Sequence, residues 1–193
     1  NQQYTFQFSI HLYSILSTGF VTTQCNIYEN GKIIVDESNF YSLLDTHLST
    51  KKPLIKINDE LVMETLSSSI EDTGTYQIRH SGGNYSFSLI FQGITKGWKG
   101  ATDAGDWAVI LPKAITSGTL TIQNTTQSVR GIGYHDHNWY VSISTGMNFG
   151  WLWGKTVTDN HALTWANIFK TWYKKTPLLV INKDDEGYFN IPA

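Results

Sequence analysis

The chain has 193 residues, and its 14 basic and 16 acidic side chains give a formal charge of −2 with neutral histidines. This near balance, without a basic run, argues against nucleic acid or a membrane surface as a partner. No apolar run reaches the roughly 18 residues that span a bilayer, and a single cysteine cannot form an internal disulfide. Neither a transmembrane segment nor a cellular compartment is therefore indicated.

The first predicted elements are strands. Apolar and polar residues alternate with a period of two over residues 4–12, which is typical of a half-buried strand. Two further strands, at 19–28 and 32–35, flank Asn30-Gly31, a dipeptide that favours a hairpin turn. Cys25 lies within the second of these strands among apolar neighbours, and this pattern predicts a buried, inert thiol.

Later strands are predicted at short intervals, separated by turn residues. Only 39–49 is expected to be a helix or an irregular insert, and the glycine-rich segment 97–102 is expected to be a loop at a barrel mouth. This spacing indicates an all-β, antiparallel barrel, closed or nearly closed, over residues 1–193 as a single domain. The later strands are predicted at 74–80, 85–91, 107–111, 118–123, 128–134, 139–143, 149–157, 162–169 and 187–190.

The stretch GIGYHDHNWY sets two histidines around an aspartate. Strand alternation places Tyr134 and Asp136 on one face, and His135, His137 and Trp139 on the other. The two histidines would lie about 7 Å apart at Cα, a spacing that suits a shared metal ion. The neighbouring sequence offers no third ligand, so a metal-dependent enzyme is the least favoured hypothesis and no metal site is predicted.

Two other interpretations of Asp136 stay open from spacing alone. Burial among aromatic residues would raise the pKa of its carboxyl and make it a general acid, whereas a neighbouring imidazolium would lower it. Alternatively, the carboxylate accepts hydrogen bonds that hold the strand in place and has no chemical role. The chain also carries seven tryptophans, which either pack in the core and rim of a barrel or line an interior wide enough for one small apolar ligand.

The motif, together with GWLWG at residues 150–154, resembles the signature of the carotenoid 1,2-hydratase family, also called hydroxyneurosporene synthase-like. This group is related to the fungal Diels–Alderases of decalin biosynthesis and to kievitone hydratase. The resemblance covers mainly residues 105–169. The matched positions of the Gly-x-Gly-(aromatic)-x-Asp-His-x-Trp pattern are Gly131, Gly133, Tyr134, Asp136, His137 and Trp139.

The resemblance implies a lipocalin-like (calycin) β-barrel, the first of two in the family architecture. It also implies a cofactor-independent lyase of the hydratase type, or a cyclase, that acts on a hydrophobic isoprenoid- or polyene-like molecule. The alternative function is a non-catalytic, lipocalin-like binding protein for a small apolar ligand. The expected catalytic residues are Asp136, His135 and His137, and the expected ligand-binding residues are Tyr134, Trp139, Trp151, Trp153 and Trp165.

The chain departs from the family pattern in two respects. Tyr140 stands where relatives often carry glycine, and only about fifty residues follow it, too few for a second barrel. The chain is therefore interpreted either as the first barrel of a longer protein or as a lone barrel. In the first case a second barrel domain, and in the second a homo-oligomer, would be a partner in addition to the small hydrophobic molecule.

Overall fold

The computed structural model describes residues 2–15, 18–49, 51–67, 73–102, 105–139, 150–169 and 175–191. Nearly every residue in these ranges lies in a β-strand, and each described strand register is antiparallel. The predicted all-β, antiparallel fold class is thus confirmed. No helix in these ranges is long and apolar enough to cross a bilayer.

The chain divides into two compact units, and each is described by itself. The first comprises Asn1–Thr65, Gln77–Leu89 and Gly118–Val129. The second comprises Leu66–Tyr76, Ile90–Ser117 and Arg130–Ala193. The interpretation of residues 1–193 as a single domain stays a prediction.

A three-stranded sheet is formed by β1 (Tyr4–Ile15), β2 (Thr18–Glu29) and β3 (Lys32–Ser42), in that order. Asn30 and Gly31 connect β2 to β3 with φ of 49° and 79°. Two consecutive left-handed residues give the turn whose twist matches the flanking strands, and Asn-Gly adopts this conformation at low cost. The predicted hairpin is confirmed, although β3 is longer than the predicted strand at 32–35.

An eight-stranded sheet follows the order β11-β10-β8-β7-β6-β5-β4, with β9 paired to β10. A single turn of 3-10 helix, Leu43–Asp45, precedes β4, and the Ser42 hydroxyl accepts a hydrogen bond from the Leu44 backbone N–H at its start. The strands are β4 (Thr46–Ser49), β5 (Leu54–Ile57), β6 (Glu60–Thr65), β7 (Thr75–Ser81), β8 (Tyr85–Gly93), β9 (Trp98–Thr102), β10 (Gly105–Ile122) and β11 (Thr125–Trp139).

A four-stranded meander completes the described chain. Its order is β12-β13-β14-β15, so each strand pairs with its neighbour in sequence. Polar or charged residues and a glycine form the turn between the last two strands, at Asp184-Asp185-Glu186 and Gly187, where Asp185 and Gly187 have positive φ. The strands are β12 (Trp151–Val157), β13 (His161–Phe169), β14 (Lys175–Lys183) and β15 (Gly187–Ile191).

Each unit has its own hydrophobic core. In the first unit Val21, Ile57 and Val62 are buried together, and Phe8 and Ile10 of β1 pack against them. This confirms the inward apolar face predicted for the opening strand. In the second unit the core consists of two tryptophans with three small or aliphatic residues: Trp98, Trp107, Val109, Ala166 and Val180.

Cys25 lies on the buried face of β2, where its side chain is only 1% exposed. Burial raises the pKa of the thiol to about 11, and the Glu37 carboxylate adds to this effect while a hydrogen bond with Tyr85 opposes it. A thiol that stays protonated at neutral pH is a poor nucleophile. The predicted burial of the thiol is confirmed, and its inertness stays a prediction that the raised pKa favours.

Two predictions on individual elements were wrong, and a third was right in type but divided one strand into two. The segment 39–49 continues β3 and then forms one 3-10 turn and β4. It contains no helix beyond that single turn. The segment 97–102 is not a loop at a barrel mouth, because Trp98–Thr102 pairs with β10 as a strand. The two predicted strands 107–111 and 118–123 are parts of β10, which runs through Pro112 and Gly118 without a break.

Candidate functional site

Strand β11 presents the motif with the predicted alternation. The Tyr134 hydroxyl donates to Oδ2 of Asp136 at 3.1 Å, which requires both side chains to leave the same face of the strand. On the opposite face the rings of His137 and Trp139 lie 5.0 Å apart between centroids. All residues of this candidate site belong to the second unit.

A second donor to Asp136 comes from β10. The indole Nε1–H of Trp107 donates to the same oxygen, Oδ2, at 2.9 Å. Trp107 is only 6% exposed, and a buried indole N–H usually has a hydrogen-bond acceptor. The Asp136 carboxyl group is therefore the polar partner that allows this tryptophan to be buried.

Aromatic rings surround the two hydrogen bonds. Trp98 contacts Trp107 edge to face, with centroids 5.2 Å apart. Trp153 of β12 stacks on Tyr134 with centroids 5.9 Å apart and planes 22° from parallel. The buried Nε1–H of Trp98 has no hydrogen-bond partner among the residues that the structure describes. An unpaired buried N–H can donate a hydrogen bond to an acceptor atom of a bound molecule.

The electrostatics of this face keep the tyrosine neutral. Burial raises the pKa of Tyr134 far above its ordinary value, and both the charge of Asp136 and its hydrogen bond with Tyr134 add to the rise. The Lys155 ammonium lies 4.5 Å from the centroid of the Tyr134 ring. Burial lowers the pKa of Lys155, while the Asp136 carboxylate opposes this change. Tyr134 therefore acts as a neutral O–H donor below a cation held on its ring face.

The two histidines differ in exposure, since His135 is partly buried and His137 is exposed. Burial lowers the pKa of His135 to about 4, and repulsion from His137 adds to the effect. Its ring meets Tyr76 edge to face, with centroids 5.0 Å apart. Partial burial also lowers the pKa of His137, and the Asp136 carboxylate partly restores it. Because both imidazoles are neutral at pH 7, they do not act on Asp136 as imidazolium ions.

The structure brings together only part of the predicted catalytic set. Tyr134 and Asp136 share a face with Trp107, whereas His135 and His137 leave the other face of β11. Trp107 was predicted only as one of several barrel-lining aromatics, and its bond to Asp136 depends on the register of β10 against β11. The two-residue turn at Gln123-Asn124, with both residues at positive φ, sets this register. The sequence prediction missed it because the predicted strands ended at residue 123 and resumed only at 128.

The predicted ligand-binding tryptophans are also divided between two faces. Trp151 and Trp153 leave one face of β12, and Trp153 reaches Tyr134. Trp165 of β13 pairs with Gly154 and points to the opposite face, where its ring covers the glycine. All three are more than two-fifths exposed. The predicted strand at 139–143, including Tyr140, lies outside the described residues apart from Trp139.

No three His, Cys, Asp or Glu side chains in the described ranges are grouped so that they could hold a metal ion. His135 and His137 instead pack against the rings of Tyr76 and Trp139. Lys99 lies on the Trp139 ring, with its ammonium 4.7 Å from the centroid. This face of β11 is therefore built from ring contacts around neutral imidazoles.

Comparisons with known proteins bear on the fold. No family model matches the chain, and no curated protein matches it. Among solved structures it is similar to a Nitrosomonas europaea protein provisionally named AttH, with a TM-score of 0.68 at 12% sequence identity. The match covers 99% of this chain and 62% of that chain. Identity this low shows the fold alone, and that fold is a lipocalin-like β-barrel, as predicted.

Proposed function

We propose that the protein is a cofactor-independent enzyme of the hydratase or cyclase type that acts on a hydrophobic isoprenoid- or polyene-like substrate. The observation that carries the proposal is the Asp136 carboxyl group, held by Trp107 and Tyr134 among aromatic rings. An isolated alkene has no polar group that an enzyme could bind or polarise. Its activation therefore requires a proton donor held in position beside an apolar surface. The resemblance of the surrounding motif to the carotenoid 1,2-hydratases supports the same assignment.

Hydration through Asp136 balances without any further reagent. The O–H bond of the protonated carboxyl breaks, and a C–H bond forms at one alkene carbon, which leaves a carbocation at the other. Water attacks the cationic carbon through oxygen, and the surplus proton passes to the carboxylate. We assign the proton to Oδ1, because the two described hydrogen bonds of the carboxyl group both reach Oδ2. In a cyclase, a second double bond would attack the carbocation in place of water, and the new carbocation would lose a proton from an adjacent carbon to the Asp136 carboxylate.

An exposed aromatic ring would stabilise the developing positive charge. The ring of Tyr134 already holds a cation on its face, since the Lys155 ammonium lies 4.5 Å from its centroid. Trp153 stacks on the same ring and is 42% exposed. A carbocation over the exposed Trp153 ring would gain the same kind of attraction as an ammonium, about 0.5–2 kcal/mol. Beside the Tyr134 ring it would instead meet the repulsion of the Lys155 ammonium.

The remaining predicted residues receive supporting roles. His135 and His137 are proposed as positioning residues, because they pack the opposite face of the strand that carries Asp136. Trp151 is proposed as a wall for the substrate. Trp139 was expected to bind the ligand, but its ring lies with His137 on the face of β11 opposite Asp136, so it is proposed as a positioning residue. Trp165 is proposed to shape its sheet through contact with Gly154 rather than to meet the substrate.

One observation favours the alternative function, a non-catalytic binder of a small apolar ligand. Trp107 and Tyr134 both donate to Asp136 Oδ2, and a carboxyl group that satisfies a buried and a partly buried donor has a sufficient structural role without any chemistry. In the binder, this hydrogen-bonded group would only fix the geometry of a ligand site lined by Tyr134 and Trp153.

A comparison of Asp136→Asn with Tyr134→Phe tests the proposed enzyme. Each variant and the wild type would be incubated with a panel of acyclic polyenes, including squalene and lycopene, and products would be followed by mass spectrometry for the gain of one water or for isomerisation. Binding would be measured in parallel by quenching of tryptophan fluorescence. We expect Asp136→Asn to bind and not turn over, and Tyr134→Phe to retain part of the turnover. Binding without product in the wild type as well would favour the binder.

We also propose that a second barrel domain, or a second copy of this chain, completes the substrate enclosure. The support is the exposure of Trp151 and Trp153, whose side chains are 55% and 42% exposed. Both lie on the same face of β12, and on this face Trp153 stacks on Tyr134. Sedimentation velocity of the chain, alone and after Trp151→Ser, tests the second copy. If the chain is a monomer at all concentrations, a second copy does not complete the enclosure, and a second barrel domain stays as the proposed partner.

A further inference from the structure

The outer face of the three-stranded sheet carries an aromatic surface in the first unit, separate from the Asp136 site. The strand register sets up three rows across β1, β2 and β3. The first row is Tyr13-Phe20-Ser42, the second His11-Thr22-Phe40, and the third Ser9-Gln24-Ser38. We name these nine residues the outer aromatic patch.

The rings of the outer aromatic patch form a continuous series. Tyr13 stacks on its cross-strand partner Phe20, with centroids 4.8 Å apart and planes 23° from parallel. Phe40 follows on the diagonal, 5.9 Å from Phe20, and His11 lies 6.3 Å from Tyr13. The side chains are open to solvent: Tyr13 and Phe20 are 42% exposed and Phe40 is 74% exposed.

This arrangement departs from the usual outer face of an antiparallel sheet. One face of such a sheet packs on the core, as Val21 and Cys25 do here, and the other is normally polar. Contiguous exposed aromatic rings on the polar face indicate a binding surface. The rings also line a groove with a volume of about 380 Å³, together with the hydroxyl and amide groups of Thr22, Gln24 and Ser38.

The composition of the patch identifies the kind of ligand. None of its nine side chains is Lys, Arg, Asp or Glu. Surfaces that stack the bases of single-stranded nucleic acid combine aromatic rings with a basic groove, and the basic part is missing from these rows. A neutral ligand with an apolar face and many hydroxyl groups fits both components of the surface.

We propose that the outer aromatic patch binds a neutral oligosaccharide. The C–H face of a pyranose ring carries weakly positive hydrogens, which suit the negative face of an aromatic ring. Phe40, which is 74% exposed, would stack one sugar unit, and Tyr13 would contact a second, while Phe20 between them holds the two rings in place. Gln24 and Ser38, in the next row, would exchange hydrogen bonds with the sugar hydroxyls, since an amide and a hydroxyl both donate and accept.

The test is a titration of the full chain with soluble neutral oligosaccharides, using cellohexaose, xylohexaose and maltohexaose as probes. Amide chemical shifts of β1, β2 and β3 would be followed by NMR. Phe40→Ala is the test variant, because a side chain this exposed contributes little to folding. Ile33→Ala is the matched control on the same strand, since Ile33 is 49% exposed and lies outside the three rows.

We expect at least one of the probes to shift resonances of the patch. We also expect Phe40→Ala to weaken this binding about tenfold or more, Ile33→Ala to leave it unchanged, and Phe40→Trp to retain it. The absence of shifts with all three probes would overturn the proposal. It would equally be overturned if Phe40→Ala abolished self-association of the chain, or its binding to neutral phosphatidylcholine vesicles, and left the saccharide titration unaltered.

Discussion

Trp107 and Asp136 are joined by a hydrogen bond of 2.9 Å between the indole Nε1–H and the carboxylate Oδ2, across 29 residues of sequence. The bond links the buried core of the second unit to the strand that carries the histidine-aspartate motif. Through it, the position of the carboxyl group is set by a core tryptophan rather than by the neighbouring histidines.

Removal of the indole donor is predicted to destabilise the protein. Trp107→Phe keeps an aromatic ring in the core and leaves Asp136 with one fewer donor, so the free energy of unfolding should fall by about 1–3 kcal/mol. Urea denaturation followed by circular dichroism gives this value. Trp153→Phe is the control, because Trp153 is 42% exposed and has no such bond to Asp136. Equal losses for the two variants would mean that the bond to Asp136 contributes nothing measurable.

The partly buried imidazole of His135 is predicted to make stability depend on pH. Its pKa is lowered to about 4 in the folded chain, against about 6.5 when unfolded, so between these values the unfolded chain binds the additional proton. Its contribution to stability is complete above about pH 6.5 and is lost as the pH falls toward 4, by at most about 1.4 kcal/mol per pH unit.

Urea denaturation across this pH range checks the prediction. His135→Gln should flatten the dependence, whereas His47→Gln, at an exposed position of β4, should not. A wild-type profile that stays level between pH 4 and 6.5 would show that His135 is protonated as easily in the folded chain as in the unfolded one.

A buried ion pair in the second unit provides a further test. The Lys113 ammonium lies 2.7 Å from both Asp184 Oδ2 and the backbone oxygen of Asp159, and Thr95 donates to Asp184 Oδ1. Lys113→Ala removes the partner of a mostly buried carboxylate, which is expected to cost about 3 kcal/mol or more. Lys113→Met with Asp184→Asn should cost less, because neither charge remains.

The exposed pair of Lys183 with Glu186 is the matched control. Lys183→Ala should change the free energy of unfolding by no more than about 1 kcal/mol, as is usual for surface ion pairs. The comparison uses the same denaturation measurement. If Lys113→Ala and Lys183→Ala differ by less than the experimental error, burial does not strengthen the requirement for a partner at Asp184.

Two glycines of the motif region are predicted to differ in their tolerance of a side chain. A Cβ on Gly154 would lie 2.5 Å from the Trp165 ring, whereas a Cβ on Gly131 would meet no atom within 4 Å. Gly154→Ala should therefore displace Trp165 and cost about 1–3 kcal/mol, while Gly131→Ala should be nearly neutral. Thermal unfolding of both variants checks this. A neutral Gly154→Ala would show that the Trp165 ring moves aside without loss.

Local pattern predicted much of the fold. The alternation in β1, the Asn30-Gly31 turn and the burial of Cys25 all follow from side-chain period and turn chemistry, which a short stretch of sequence contains. The prediction of two separate strands at 107–111 and 118–123 implied a break that β10 does not have. Gly118 instead lets two strands approach closely, since a Cβ there would lie 2.0 Å from the Ser88 backbone oxygen.

The candidate site could be predicted only in part. The faces of Tyr134, Asp136 and the two histidines follow from the alternation of a strand. Trp107 as the donor to Asp136 depends on the register of the β10–β11 hairpin, which the two-residue turn at Gln123-Asn124 sets. Asp184 as the partner of Lys113 depends on a contact between segments 71 residues apart, which the local pattern around either residue does not specify.

The most direct test of the proposed chemistry is turnover of an acyclic polyene in deuterium oxide. Proton transfer from Asp136 would place one deuterium in the wild-type product. The deuterium would lie on the carbon adjacent to the carbon that bears the new hydroxyl group. Asp136→Asn should bind the polyene and incorporate none. A labelled product at equal rate from Asp136→Asn, or no product from the wild type despite full binding, would contradict the assignment of Asp136 as the proton carrier.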